Sequence, residues 1–546
     1  MTRLEVENLS IRFAGRAADN DVHAVRGLSF TLEPGECVAI VGESGSGKSA
    51  TARALVGLAG DNALIEADAM RLGQTRLDDL DRNAWRAIRG RQIGFVLQDA
   101  LVSLDPLRTV GAEIAETLRQ HRIVPRHRIK DRVISLLESV GVPEPALRVR
   151  QYAHELSGGL RQRALIASAL SGEPDLLIAD EPTTALDVIV QAQILDLLDQ
   201  MKHSGKGILL ISHDLAVVAR LADRIIVMKD GQVVEAGTPR AILTDPQADY
   251  TRQLLDAIPS ASTRGRSLFS NDTPSAAAPA RTGPVREIIN VSNISHRYKK
   301  REVVKNVSFS VSSGETLGIV GASGSGKTTV ARIIMGLVRP SEGDVEIEGR
   351  PWSALHERAR RALRPNIQLI SQDPLSAFDP RYRVKDIIGE ALEIRGLNRD
   401  ERRGRTLELL ESVGLGLPHL DRRPLQLSGG QRQRVAIARA LALSPDILIC
   451  DEPVSALDVS TQAQVLDLLD DLKRRFDLTM VFVSHDLGVI RHVSDRVIVM
   501  HNGQVVEHGD VDAVMGAPQH EYTKRLVTAL PDLSDIQEAP GAPDGR

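Results

Sequence analysis

The sequence predicts an α/β protein made of two tandem copies of one domain, and three observations carry that prediction. The stretch Gly42-Glu43-Ser44-Gly45-Ser46-Gly47-Lys48-Ser49 joins an apolar run, Cys37-Val38-Ala39-Ile40-Val41, to helix formers that begin at Ala50. Strand, glycine-rich turn and helix in that order make a phosphate-binding P-loop. The pattern returns as Gly321-Ala322-Ser323-Gly324-Ser325-Gly326-Lys327-Thr328, followed by Thr329, after Thr316-Leu317-Gly318-Ile319-Val320. Around both loops, short continuous apolar runs alternate with helical spacing, the pattern of buried parallel strands joined by crossover helices.

The length of 546 residues exceeds what one hydrophobic core supports. An apolar share of 42% and a charged share of 26% describe an ordinary globular protein. A net charge of −4 gives no basic footprint for nucleic acid. Two cysteines make no disulfide framework, and Cys37 and Cys450, both in apolar runs, read as small buried hydrophobes. The N-terminal residues lack the pattern of a signal peptide. No run approaches the ~18 consecutive apolar residues of a membrane span. A cytoplasmic chain is expected, with any membrane role exercised through partners.

Taken in order, residues 3–12 alternate apolar and polar, as a half-buried strand does. A polar excursion around 15–21 leads to a second strand, 28–32, and a Pro34-Gly35 turn into the P-loop strand. Residues 62–98 return to strand and turn around an arginine-rich helix, 81–91. From 110 to 140 the spacing of Ile114, Leu118, Val133, Leu136 and Leu137 is helical. Leu156-Ser157-Gly158-Gly159 opens a helix to about Leu170, and Leu176-Leu177-Ile178-Ala179 reads as a buried strand ending in Asp180-Glu181. A helix through 194–201 leads to the strand Ile208-Leu209-Leu210-Ile211, which delivers Ser212-His213, and a hairpin about Lys229-Asp230-Gly231 closes the half.

Residues 259–285 are dominated by Pro, Ser, Ala and Gly, the composition of a flexible linker. The order then repeats: Gly42 and Gly321, Ser157 and Ser428, Asp180 and Asp451, and His213 and His485 are 279, 271, 271 and 272 residues apart. The expected organisation is a first domain at 1–258, a linker at 259–285, a second domain at 286–530 and a disordered tail at 531–546.

The P-loop glycines let backbone N–H groups converge on a polyphosphate, where a Cβ would block the approach. Lys48 and Lys327 reach the β- and γ-phosphates, and the hydroxyls of Ser49 and Thr328 can ligate Mg²⁺. Glycine-rich loops also serve as plain tight turns, but two in the same strand–helix context argue against that. Asp180 and Asp451, at the ends of buried strands, can hold Mg²⁺, and Glu181 and Glu452 can orient and deprotonate a water. Read alone, such a pair is equally a solvated strand end. An imidazole at His213 or His485 could bond a γ-phosphate, although a lone histidine is more often structural. Ser157-Gly158-Gly159 and Ser428-Gly429-Gly430-Gln431 open helices and offer a second anion site. An ordinary N-cap is the bland reading, and recurrence at the same place in both halves argues against it.

On these motifs the sequence resembles the ABC-type ATPases over nearly all of 3–258 and 286–530. The resemblance implies ATP and Mg²⁺ as cofactors. In each half it implies a RecA-like parallel-sheet core, an antiparallel β subdomain and an α-helical subdomain. Walker A falls on 42–49 and 321–328, and the Q-loop glutamines on Gln98 and Gln372, which the family places at the metal and the attacking water. The signature serines fall on Ser157 and Ser428, the Walker B pairs on Asp180-Glu181 and Asp451-Glu452, and the D-loop aspartates on Asp187 and Asp458. The switch histidines are His213 and His485, and Phe13 and Tyr298 match the aromatic that stacks on adenine. In such proteins two domains associate head to tail, with each ATP between one P-loop and the other signature. Here both would come from one chain.

A narrower resemblance concerns 98–106 and 372–380, which look like the segment after the Q-loop in dipeptide and oligopeptide importer ATPases. Tyr152-Ala153-His154-Glu155, Tyr250-Thr251 and His520-Glu521-Tyr522-Thr523 are similar to that subfamily too. This implies a subunit at the cytoplasmic face of the cell membrane that powers import of di- or oligopeptides. Glutathione, a nickel chelate and haem stay open as solutes. Two integral-membrane permeases would dock at the Q-loop segments, Leu104 and Phe378 being the expected contact side chains, and an extracytoplasmic solute-binding protein would serve them. Many relatives carry a cysteine-rich C-terminal segment that is absent here, so no iron–sulfur cluster is expected. The competing class is a soluble tandem ABC ATPase acting on ribosomes or DNA. Its long charged linker and zinc-ligand cysteines have no counterpart in this sequence, and no nucleic-acid partner is expected. Two departures stand out: Leu160 replaces the glutamine that Gln431 supplies at the edge of the nucleotide pocket, and Ser168 stands where the second half has Arg439.

Overall fold

A computed structural model describes residues 2–15, 21–98, 103–183, 186–260, 263–269, 286–299 and 301–529. The chain divides into two compact units, one built mainly from residues before Asp256 and the other mainly from Asp256 onward.

In the first unit, the run that precedes the P-loop is a fully buried strand, Cys37–Val41. It pairs in parallel with Arg224–Lys229 on one side and Gly207–Ile211 on the other. Leu176–Asp180 and then Ile93–Val96 extend the parallel sheet, and Gln232–Gly237 closes the opposite edge as an antiparallel hairpin partner. The inner strands are covered on both faces, which is why they read as unbroken apolar runs. The order sets the P-loop beside the strand end that delivers His213, with the Asp180-Glu181 strand end next along.

Leu4–Phe13 pairs antiparallel with Val22–Leu32 and with the short strands Ala63–Glu66 and Ala69–Leu72. Val22–Leu32 starts earlier than its apolar core suggests, because Val22, His23 and Val25 pair through bulges with the end of the first strand. The arginine-rich helix is Arg82–Ile88, capped by the Asp81 carboxylate, which accepts from the N–H groups of Asn83 and Ala84. Val110–Gln120, Ile129–Ser139 and Gly158–Leu170 make the helical subdomain.

The second unit repeats this plan. Its parallel strands run Ile367–Ile370, Ile447–Asp451, Thr479–Val483, Thr316–Val320 and Arg496–His501, with Gln504–Asp510 antiparallel at the edge. Glu287–Tyr298 and Arg301–Ser312 form its main antiparallel pair.

The structure corrects one expected boundary. Residues 263–269, inside the anticipated linker, form an ordered strap of the second unit. The Asp467 carboxylate accepts from Ser267 Oγ at 2.6 Å and from the N–H groups of Leu268 and Phe269, each at 2.9 Å. Arg264 pairs with Asp512 at 2.6 Å, and Leu268 is buried in the second unit's apolar core. Composition averaged over the stretch hides this, because one buried leucine, the Arg264 ion pair and three bonds to Asp467, two of them from backbone N–H groups, are enough to hold it. The rest of the expected linker, 270–285, and the expected tail, 531–546, lie outside the described residues.

Candidate functional site

Each P-loop begins with a glycine that no other residue can replace without strain. Gly42 has φ 145°, and a Cβ there would stand 2.1 Å from the Met228 carbonyl oxygen; Gly321 meets Met500 the same way at 2.1 Å. The helices Lys48–Leu55 and Lys327–Ile334 follow at once. Ser44, Gly45, Ser323 and Gly324 are exposed, so the crest of each loop is open to solvent. Lys48 Nζ donates to the carbonyls of Gly42 and Glu43, both at 2.7 Å. Lys327 Nζ donates to those of Gly321 at 2.7 Å and Ala322 at 3.1 Å. Burial pushes the Lys327 ammonium down, while Glu452 and Asp451 oppose the shift.

The expected carboxylates converge on these loops. The Ser49 hydroxyl donates to Asp180 Oδ1 at 2.9 Å, and the Thr328 hydroxyl to Asp451 Oδ1 at 3.1 Å. Burial raises Asp180 to about 6 against the pull of the Ser49 bond, and raises Asp451 in the same direction. Asp180 Oδ2 is buried with no hydrogen-bond partner among the described residues. A desolvated carboxylate oxygen left unpaired beside a P-loop hydroxyl fits a divalent cation with oxygen ligands.

Glu181 and Glu452 leave their strands in left-handed backbone, each with φ 51°. Gln98 Nε2 donates to Glu181 Oε2, and Gln372 Nε2 to Glu452 Oε2, both at 2.9 Å. His213 Nδ1 lies 3.2 Å from Glu181, and His485 Nδ1 lies 3.2 Å from Glu452. Burial works against charge on both imidazoles, but the bond to the glutamate prevails and raises them. Burial likewise works to raise Glu452, and the His485 bond overcomes it and holds the carboxylate low. In each unit the hydroxyl and aspartate form one bonded pair and the glutamine, glutamate and histidine another set, while the P-loop lysine, bonded to loop carbonyls, acts on the carboxylates through its charge.

Ser157 and Ser428 are exposed N-caps of Gly158–Leu170 and Gly429–Leu441. Phe13 packs partly on its unit's core, whereas Tyr298 is 45% exposed with its ring edge-on to His296. Gln431 departs from expectation. Its Oε1 accepts from the Ser428 N–H at 3.1 Å while Ser428 Oγ accepts from the Gln431 N–H at 3.2 Å, so the amide serves its own helix cap. Ser157 makes no side-chain cap bond, and Leu160 has no amide to accept from the Ser157 N–H in return.

The docking side chains need correcting too. Leu104 is 3% and Phe378 6% exposed, so neither is a surface contact. Apolar side chains that short loops carry inward are consumed by the core. Leu107, at 85%, and Tyr382, at 40%, are what these segments present to solvent, while 99–102 lie outside the described residues. Arg439 donates to the Ala377 carbonyl at 2.9 Å and lies 5.0 Å over the Phe378 ring, a tie that Ser168 lacks the reach to copy.

Sequence reasoning gave no role to Tyr250 and Tyr522, whose hydroxyls accept from P-loop N–H groups at 3.1 and 2.8 Å. The recurring Tyr-Thr pair near each half's end was the available signal.

The model of the ABC transporter family matches residues 25–184 and again 304–455, more than half of the chain. The chain belongs to the ABC transporter family. It carries two ATPase domains of that family, and a second model, the oligopeptide/dipeptide transporter C-terminal region, matches 234–283 and 506–544. The ABC chain is 41% identical to the oligopeptide transport ATP-binding protein OppD of Mycobacterium tuberculosis, over 97% of this chain and 98% of that one. It is 42% identical to the glutathione import ATP-binding protein GsiA of Escherichia coli strain K12, over 98% of this chain and 91% of that one. Among the described residues no helix is long and apolar enough to cross a membrane.

Proposed function

We propose that this chain is the ATP-hydrolysing subunit of a membrane importer for di- or oligopeptides, working at the cytoplasmic face. The observation that carries the reading is similarity along nearly the whole chain to import ATP-binding proteins, together with the oligopeptide/dipeptide C-terminal region in both halves. Lys48 and Lys327, with the P-loop amides, bind the ATP phosphates. Ser49, Asp180 and Gln98 in one half, and Thr328, Asp451 and Gln372 in the other, would hold Mg²⁺, which neutralises phosphate charge when bound. Glu181 and Glu452 take the proton of the attacking water, which Gln98 and Gln372 help to orient. His485 holds Glu452 low, so transfer of that imidazole to a γ-phosphate would restore the carboxylate's basicity. Phe13 and Tyr298 lie against adenine. The two halves close head to tail, bringing Ser157 or Ser428 and the glycines that follow to the other half's ATP.

Two permeases dock beside the Q-loop segments. Next to the first of these is a cavity of about 640 Å³ with Ala112, Ala115 and Val133 among its apolar lining and Arg119 and Lys130 among its basic residues. It suits an amphipathic segment with acidic ends. The test is co-expression with candidate permeases and reconstitution into vesicles. ATP-dependent uptake of a labelled tripeptide, dependent on a solute-binding protein, is the expected result. Uptake of glutathione alone would move the substrate assignment, and failure to retain any integral-membrane partner would overturn the importer reading.

A further inference from the structure

We propose that Tyr250 and Tyr522 are positioning residues for ATP, each latching the last helix of its half, Asp249–Asp256 or Glu521–Thr528, to the first turn of the P-loop. The Tyr250 hydroxyl accepts from the Glu43 N–H at 3.1 Å, and the Tyr522 hydroxyl from the Ala322 N–H at 2.8 Å. The carbonyls of these same residues, Glu43 and Ala322, accept from Lys48 and Lys327 at 2.7 and 3.1 Å. One residue of each loop is therefore held at both ends, by a phenol from the C-terminal helix and by the phosphate-binding lysine.

The phenols are themselves fixed. Both tyrosines are 6% exposed. Lys229 Nζ sits 4.5 Å from the Tyr250 ring centre, and His501 stacks on Tyr522 at 4.0 Å. Each helix is pinned where it starts: Glu235 accepts from the N–H groups of Gln247 and Ala248 at 2.8 and 3.1 Å. Glu507 does the same for Gln519 and His520 at 2.8 and 3.1 Å. The arrangement recurs in both halves with different loop residues and different ring partners. Without the hydroxyl the loop N–H loses its partner, the peptide turns to find another, and the lysine on the same residue shifts with it. Readiness for ATP then depends on the seating of the C-terminal region.

The proposal rests on the reading of both P-loops as ATP sites, and the experiment separates the two. Tyr250→Phe, Tyr522→Phe and the double variant of the full chain are titrated with a fluorescent ATP analogue, and kcat and KM are measured with ATP. Lys48→Ala and Lys327→Ala serve as controls. Each Phe variant should weaken nucleotide binding and raise KM by roughly two- to tenfold, with kcat and the melting temperature nearly unchanged. Unchanged binding in the double variant, with binding lost in the lysine variants, overturns the latch and leaves the ATP sites standing. A fall in kcat and melting temperature with KM unchanged also overturns it, since that reports a structural role only. Unchanged binding in the lysine variants overturns the ATP-site reading and the latch with it.

Discussion

Glu181 and Glu452 hold a backbone conformation that a β-strand residue avoids, at a cost of about 1–3 kcal/mol each. The strain persists because the N–H of Glu181 bonds across the sheet to the Ile211 carbonyl at 2.8 Å, and that of Glu452 to Val483 at 2.9 Å. The turn aims each carboxylate at a glutamine and an imidazole instead of along the strand. Glu181→Gln or Glu452→Gln keeps the shape and removes the proton acceptor, so phosphate release at that site should fall roughly 10²–10⁴-fold while ATP binding survives. Near-normal turnover in the double variant would refute the assignment. A second readout is independent of turnover. Burial opposes charge on His213 and the Glu181 bond overcomes it, so Glu181→Gln should lower the titration midpoint of His213 by NMR. Residue types at these positions were legible because a P-loop, a strand-end acid pair and a strand-end histidine keep fixed places in the chain. The left-handed turn was not, because a cross-sheet bond imposes it on an ordinary glutamate. Nor was the tyrosine latch, whose partners are 207 residues apart in the first half.

Helix starts and the strap decide what is distinctive at the level of elements. Gly429–Leu441 begins with a reciprocal cap between Ser428 and Gln431, and Gly158–Leu170 begins without one because Leu160 occupies the third position. Leu160→Gln should rebuild the cap, adding about 1 kcal/mol and about 2–4 °C to the melting transition of the first unit. A calorimetric trace unchanged by the substitution would count against that account. The strap offers a pH test. Thr263 Oγ1 lies 3.1 Å from His492 Nδ1, and burial lowers His492 below its ordinary 6.5, with Arg264 adding to the effect and Asp467 and Asp470 opposing it. A histidine kept neutral by folding contributes stability that is present above its unfolded pKa. That stability is lost as pH falls through the lower folded value. Amide exchange at 263–269, corrected for intrinsic rates, should therefore quicken as pH drops below 6.5, and Asp467→Ala should quicken it at every pH. Flat protection across that range would contradict it. Strands and core helices were legible from apolar runs and helical spacing. The strap was not, because Leu268 and Phe269 are its only large apolar side chains and Leu268 alone is buried.

For the whole molecule the decisive question is whether the two halves close on each other within one chain. Pairing the halves internally follows from the proposed function, since motifs joined in one chain meet at a higher effective concentration than motifs on separate chains. Ser44 at the first P-loop crest and Ser428 at the second signature are both exposed, so cysteines placed there report the pairing directly. The native thiols do not interfere: Cys37 and Cys450 are buried in strands, where burial pushes both far above the reactive range. In a Glu181→Gln/Glu452→Gln background, Ser44→Cys with Ser428→Cys should crosslink on adding ATP and Mg²⁺, and the product should run as a single chain. A crosslink that joins two chains would replace internal closure with dimerisation of whole molecules. A crosslink formed equally without ATP would mean that nucleotide does not drive the closure proposed for this subunit.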